Sequence, residues 1–124
     1  MTENTSNRKL QGYELFESMG KPTKIVAPMV DQSELAWRIL SRKYGATLAY
    51  TPMIHAKQFL TMKNDNSKRV FFDKINNEEG VENVDRPLVI QFAANDPDIL
   101  LEAAKDLEGK CDAIDINFGC PQVC

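Results

Sequence analysis

Along residues 113–119, Ile114, Ile116 and Phe118 alternate with Asp115, Asn117 and Gly119. A two-residue period predicts a strand whose faces meet different surroundings. Gly119 and Pro121 then stop the strand and set Cys120 in the turn just past its carboxyl end. Three similar stretches lie upstream. Lys24–Met29 reads as a first, buried strand, ending at Pro28, which cannot donate to a ladder. Ala46–Met53 is a second, closed by Pro52, with Leu48 and Tyr50 expected on one face and Thr47, Ala49 and Thr51 on the other. Pro87–Ala93 is a third, in which Leu88, Ile90 and Phe92 oppose Val89, Gln91 and Ala93.

Helical spacing fills the gaps. Leu35, Ala36, Ile39, Leu40 and Tyr44 recur every three to five residues, predicting a helix with that apolar stripe and with Arg38, Arg42 and Lys43 in solvent. Asp31 and Glu34 fit a capping box at its start, and Gly45 fits the C′ position. Asp96 and Pro97 open a further helix as cap and N1 residues. Its stripe is Leu100, Ala103, Ala104 and Leu107, and Gly109 ends it. Ile54–Met62 has helical character as well. The polar tract from about 63 to 86, interrupted by Val70, Phe71, Phe72 and Ile75, reads as an insertion with a short docked helix. Residues 1–21 are expected to be a flexible lead-in in which Tyr13–Phe16 makes a short turn or covers the bottom of the strands and helices after it.

The order is thus β-α-β-(insertion with helix)-β-α-β, an α/β pattern that implies a parallel sheet with right-handed crossovers. Large apolar residues gather on one strand face and small or polar ones on the other. A doubly wound sheet, covered on both sides, would read as near-continuous apolar strands. A barrel with helices outside and a crowded interior fits better. The expected fold over residues 22–124 is therefore the first half, about four βα units, of a (β/α)8 TIM barrel. A whole barrel needs roughly 250 residues, so a chain truncated after strand 4 is expected, as a fragment or an alternative product.

Composition narrows the partners. A net charge of −3 gives no electrostatic footprint for nucleic acid, so any RNA contact must come from local patches or from protein outside this chain. No apolar run approaches membrane-spanning length, and the polar amino terminus lacks a signal-peptide pattern. Three cysteines make an odd count without a disulfide framework, which suits a reducing cytosol or nucleus. Cys120 and Cys124, with His55 as the single histidine, do not complete a zinc site, so no metal is expected. Cys120 itself has two readings, a reactive thiol at the strand end where α/β sites are built or a buried structural cysteine. Gln91, the lone amide on a small face, can donate and accept to a ring edge or serve an interior hydrogen bond.

Five segments in order then resemble one family: Ala27-Pro28-Met29-Val30-Asp31, Tyr50-Thr51-Pro52-Met53, Val89-Ile90-Gln91-Phe92, Asn95-Asp96-Pro97 and Asn117-Phe118-Gly119-Cys120-Pro121. They look like the tRNA-dihydrouridine synthases, and the variants VAPMVDQSELAWR and CDAIDINFGCPQ look like the eukaryotic branch acting on adjacent D-loop uridines. The resemblance covers about residues 22–122. It implies an FMN-dependent, NAD(P)H-driven reduction of uridine to 5,6-dihydrouridine in tRNA on a (β/α)8 barrel, hydride going to C6 of a flipped uracil and a proton to C5. By position, Cys120 would be the proton donor. A thiol, with a reference pKa of about 8.5, is mostly protonated near neutrality and can act as an acid. Gln91 and Asn117 would contact flavin, Asn117 also uracil, and Pro28, Met29 and Val30 would lie along the isoalloxazine. Asp115 and Thr51 are further candidates. The family's remaining βα units, flavin-phosphate loops and RNA-binding helical region are not matched here, so tRNA would be held through that missing region and the chain alone is expected to be inactive. The alternatives are a catalytically dead half-barrel and another FMN barrel acting on a small pyrimidine. The residues leave oligomeric state open.

Overall fold

The computed structural model describes residues 8–61 and 79–121. Helix α1 (Gly12–Ser18) precedes strand β1 (Ile25–Val26), helix α2 (Leu35–Lys43) and strand β2 (Leu48–Tyr50). Strand β3 (Ile54–His55) runs directly into helix α3 (Ala56–Thr61). After the insertion come β4 (Leu88–Ala93), α4 (Pro97–Asp106) and β5 (Ala113–Ile116). Every strand pairing is parallel, and β4 is flanked by β2 and β3 on one side and β5 on the other.

β2 and β3 are two pieces of one row. Tyr50 pairs with Val89 and Ile54 with Phe92, so four steps along the first chain match three along β4. One residue is extra, which is a β-bulge over Thr51-Pro52-Met53. The sheet therefore has four rows, each connected to the next by a helical crossover. Right-handed crossovers that all step the same way place every helix on the same face. That is the arrangement of the first four strands of a (β/α)8 barrel, with the other face left for the interior.

The helix-bearing face carries the core. Leu88, Ile90 and Phe92 of β4 pack with Ile54, with Ala56 and Phe59 of α3, and with Ala103 and Leu107 of α4. Phe59 and Phe92 meet edge to face, their centroids 5.8 Å apart. The expected pattern holds in β4 and α4: Asp96 accepts from the N–H groups of Asp98 and Ile99, and Pro97 opens the helix. In β2 the expected faces are reversed for Tyr50. Register aligns Ala49 with Leu88 and Tyr50 with Val89, so Ala49 is the core-side residue and Tyr50 lies on the interior face. The bulge then returns Ile54 to the core side.

Helix α2 departs from expectation at both ends of its logic. The capping box does not form: Glu34 is the N-cap and makes no side-chain cap bond, while Asp31 sits in a left-handed turn at φ 58°. Ser33 closes that turn instead, its hydroxyl bonding Met29 N at 2.9 Å and Met29 O at 3.1 Å. The apolar stripe also fails, since Ala36, Leu40 and Tyr44 are exposed, whereas Arg38 is wholly buried and Arg42 partly so. Of the three basic residues expected in solvent, only Lys43 is there. Gly45 does follow the helix at φ 100°.

Burial of Arg38 is explained by what meets it. Asp85 takes Arg38 Nε at 2.9 Å and Nη2 at 2.7 Å, Glu79 takes Nη2 at 3.0 Å, and Ser33 O takes Nη1 at 2.8 Å. Burial alone would lower its pKa, but the bonds and charges of Asp85 and then Glu79 raise it overall. Asp85 also accepts from Gly80 N at 3.0 Å, and Arg42 reaches Pro87 O at 2.8 Å. The end of the insertion is thereby tied to α2 before the chain enters β4. Gly80 could be nothing larger, because a Cβ there would collide with the Lys110 carbonyl. The part of the insertion holding Val70, Phe71, Phe72 and Ile75 lies outside the described residues.

A second clamp joins β4 and β5 at their amino-terminal ends. Asp112 accepts from Arg86 Nε at 2.6 Å, from Arg86 Nη2 at 2.8 Å and from Leu88 N at 2.7 Å. Desolvation works against its charge, yet these donors hold its pKa below the ordinary value of 3.8. Helix α1 lies nearby, across a cleft of about 570 Å³ from α4 and the start of β5, lined by Leu10, Leu15, Leu101, Ala104 and Ile114 among others.

Two outcomes follow for stability. Arg38→Ala leaves a buried Asp85 without its main counterion and should cost about 3–5 kcal/mol in urea unfolding, whereas Lys43→Ala should stay within about 0.5 kcal/mol. A carboxylate whose folded pKa is depressed stabilises above its unfolded value and loses that contribution as pH falls through the folded one. Urea midpoints should therefore drop as pH falls below about 4, and Asp112→Asn should flatten that acid limb while lowering the midpoint at pH 7.

Candidate functional site

The interior face of the sheet is built from residues whose register fixes them side by side. Tyr50 aligns with Val89, Val89 with Ala113, and Gln91 with Asp115. Since partners in a parallel ladder share a face, Tyr50, Gln91 and Asp115 all point to the interior. The bulge bends the second row just where it approaches Gln91. There Thr51, fully buried, accepts the Gln91 backbone N–H through Oγ1 at 3.1 Å and donates its own hydrogen to Pro52 O at 2.9 Å. The hydroxyl substitutes for a ladder acceptor that the extra residue displaces.

Side-chain bonds then run up the face towards the carboxyl rim. Gln91 Nε2 donates to Asp115 Oδ2 at 2.7 Å. Asn117 Nδ2 lies 3.4 Å from Gln91 Oε1 and 3.3 Å from Met53 Sδ. Asn117 Oδ1 accepts from the backbone N–H of Gly119 and of Cys120, each at 2.9 Å. Asn117 N itself bonds Phe92 O at 2.9 Å, which extends the β4–β5 ladder one step past the strand and fixes the base of the turn. Cys120 is a free, partly exposed thiol carried by that turn.

The structure thus brings Gln91, Asn117 and Cys120 to one rim. Pro28, Met29 and Val30 follow β1 at the same end of the sheet, but β2 separates them from β4 and they make no hydrogen bond to the amide cluster. Met29 is occupied by the Ser33 turn, and Val30 is exposed. Two residues of the site were not among the sequence candidates. Met53 reaches Asn117 because of the bulge, and Tyr50 enters the face by its register. Burial, and secondarily the Asp115 charge, pushes the Tyr50 phenol above its ordinary pKa. A simple alternation count finds neither: for Met53 the count slips by one at the bulge, and the face of Tyr50 is set by its register against β4.

The two described cysteines occupy opposite ends of β5. Cys111 sits at the amino-terminal end with Sγ 3.9 Å from Leu107 O, and burial pushes its pKa up to about 11. It is the structural thiol of the pair. What the rim offers chemically is different: neutral amides with donor and acceptor ends, a carboxylate, a phenol and a thiol around a small-residue floor. Such a set can bind the alternating carbonyl and N–H edge of a flat heterocycle and pass a proton to it. Among the described residues, no group of three or more His, Cys, Asp or Glu could hold a metal ion, and no helix is long and apolar enough to cross a membrane.

Parallel strands, crossovers on one side and a polar rim at the carboxyl end define part of a (β/α)8-barrel domain. The family model for dihydrouridine synthase matches residues 25–123, and the chain belongs to that family. It is 62% identical over 119 residues to the tRNA-dihydrouridine(16/17) synthase (NAD(P)+) of Saccharomyces cerevisiae, covering 96% of this chain and 27% of that protein. A Rattus norvegicus tRNA-dihydrouridine(16/17) synthase-like protein is 49% identical over 116 residues, covering 93% of this chain and 25% of that one. A Homo sapiens tRNA-dihydrouridine(20a/20b) synthase-like protein is 43% identical over 115 residues, 93% of this chain and 33% of its own length. The chain spans about a quarter to a third of the length of these relatives.

Thiol chemistry should separate the two cysteines. With its pKa near 11, about a thousandth of Cys111 is ionised at pH 8. Iodoacetamide at pH 8, followed by peptide mass mapping, should modify Cys120 while Cys111 stays unlabelled until pH passes about 10 or the chain is unfolded. Equal labelling of both in the folded chain would contradict the assignment of roles.

Proposed function

We propose that this chain forms part of the active site of an enzyme that reduces uridine to 5,6-dihydrouridine in the D-loop of tRNA, with Cys120 as proton donor. The observation that carries the reading is Asn117, which bonds the Gln91 side chain with one end of its amide and the backbone N–H of Cys120 with the other. One side chain thereby sets the spacing between a ring-contacting amide and the thiol.

The residues fit a flavin. Gln91 and Asn117 are neutral, interior amides with complementary ends, suited to the pyrimidine edge of an isoalloxazine, and the strand face around them is small. A bound FMN, reduced by NAD(P)H, would supply the hydride equivalent that adds to C6 of the uracil. Pro28, Met29 and Val30, at the same end of the sheet, would flank the ring. Cys120 Sγ–H gives its proton to C5, so that the hydride and the proton together saturate the 5,6 double bond, and the thiolate regains a proton from solvent. The uracil reaches the thiol only outside its stack, which is the general cost of chemistry on a base. Its tRNA is gripped by protein beyond these residues, in keeping with the chain's charge of −3. A reducing compartment, cytosol or nucleus, keeps the thiol free.

Phosphate sites of such barrels lie after strands seven and eight, so the 124-residue chain by itself should purify colourless and inactive. The decisive experiment grafts residues 22–122 in place of the matching segment of the Saccharomyces cerevisiae relative. The graft should bind flavin and form dihydrouridine in unmodified tRNA. Cys120→Ala in the graft should cut product formation by about 10²–10⁴-fold with the flavin spectrum unchanged. A flavin-loaded graft that makes no dihydrouridine, or a Cys120→Ala graft of full activity, would overturn the reading.

A further inference from the structure

The hydrogen bonds of the interior face have a direction. Asp115 Oδ2 accepts from Gln91 Nε2 at 2.7 Å, Gln91 Oε1 accepts from Asn117 Nδ2 at 3.4 Å, and Asn117 Oδ1 accepts from Gly119 N and Cys120 N at 2.9 Å. Every side-chain amide has one accepting and one donating end and can enter such a chain in either sense. Here the two termini remove the choice. A carboxylate only accepts, so Gln91 must turn its nitrogen to Asp115 and its oxygen away. Backbone N–H groups only donate, so Asn117 must turn its oxygen to the turn and its nitrogen away. The two requirements meet in the middle as donor against acceptor. The middle link is the long one, and Asn117 Nδ2 also has Met53 Sδ at 3.3 Å, so it is the place where a reversed Gln91 would do harm. Nitrogen would then face nitrogen, and Asn117 would have to give up either Gln91 or the turn.

The geometry points to Asp115 as a positioning residue for Cys120. Its carboxylate, five residues before the thiol on the same strand and turn, sets the sense of the Gln91 and Asn117 amides and so holds the Gly119-Cys120 backbone in place. The functional meaning of this rests on Cys120 being the proton donor; the sense of the bonds does not. Gln91 is suited to transmit it, because its backbone is already pinned through Thr51 Oγ1 and its side chain is nearly buried. No sequence pattern reveals the relay, since its links join residues 26 apart as well as residues three apart.

The test is backbone amide hydrogen exchange, read by NMR on the full chain without flavin or tRNA. Asp115→Leu should speed exchange at Gly119 and Cys120 by roughly tenfold, the worth of a typical hydrogen bond. The amides of Asn117 and Asp112, bonded to Phe92 O and Leu88 O, should be unaffected. Asp115→Asn, of the same shape, should act in the same direction but less. Gln91→Glu combined with Asp115→Asn reverses the first link while keeping an acceptor towards Asn117. That pair should bring Gly119 and Cys120 back to within about twofold of the parent, whereas Gln91→Glu alone, with two carboxylates facing, should not. Unchanged exchange at Gly119 and Cys120 in Asp115→Leu would overturn the inference. Loss of protection throughout the β4–β5 ladder, or no recovery in the pair, would do the same. Should Asp115→Leu fail to fold, Asp115→Asn and the pair decide alone. If exchange behaves as stated and the graft makes no dihydrouridine, the functional reading falls while the role of Asp115 in the turn stands.

Discussion

One extra residue between Tyr50 and Ile54 is the constraint on which both faces of this sheet depend. Below it, Ala49 faces the helices and Tyr50 the interior; above it, Ile54 faces the helices again. An unbroken strand would put residues 49, 51 and 53 on one side and 50, 52 and 54 on the other. Ile54 would then leave the core cluster, and Met53 would leave the interior that it shares with Asn117. A bulge also strips the ladder locally, and a buried N–H without a partner costs about 1–3 kcal/mol. Thr51 removes that cost by lending its hydroxyl to Gln91 N. The residue that repairs the bulge is thus the one that pins the backbone of the site's central amide.

The two ends of the sheet are held by different chemistry. At the amino-terminal end, ionic groups are matched among themselves: Arg38 with Asp85 and Glu79, and Arg86 with Asp112. Paired charge of this kind fixes geometry but leaves little to offer a ligand, and it is costly to disturb. At the carboxyl end the groups are mostly neutral, each amide retaining hydrogen-bonding capacity beyond the bonds it makes to its neighbours. Barrels in general keep stability at one end and chemistry at the other. In this chain the division is visible in the kind of side chain alone, with guanidinium–carboxylate clamps below and an amide relay above.

What was legible in the sequence was whatever local order decides. β4 keeps Leu88, Ile90 and Phe92 together in the helix-side core because no bulge interrupts it, and α4 begins at Asp96-Pro97 because cap and N1 preferences act within a few residues. The placing of Gln91, Asn117 and Cys120 at one rim followed from parallel strands ending together. The departures have different physical causes. Arg38 looks like a solvent residue until Asp85, 47 positions away, buries it with two bonds. Asp31 and Glu34 spell a capping box, yet Ser33 closes a turn on Met29 first and moves the helix start past them. Tyr50 was put on the wrong face since an alternation count assumes the ladder it is meant to predict.

The direction of the relay also bears on what kind of thiol the turn presents. Nucleophilic cysteines are commonly set where cations, helix N-termini or convergent N–H groups favour the thiolate. In this turn the backbone donors of Gly119 and Cys120 are both committed to Asn117 Oδ1. They are turned towards an amide oxygen and are not available to the sulfur. A turn built this way keeps its N–H groups for holding shape, with the sulfur carried on it. The same bonds that locate the sulfur thus withhold from it the N–H groups of Gly119 and Cys120.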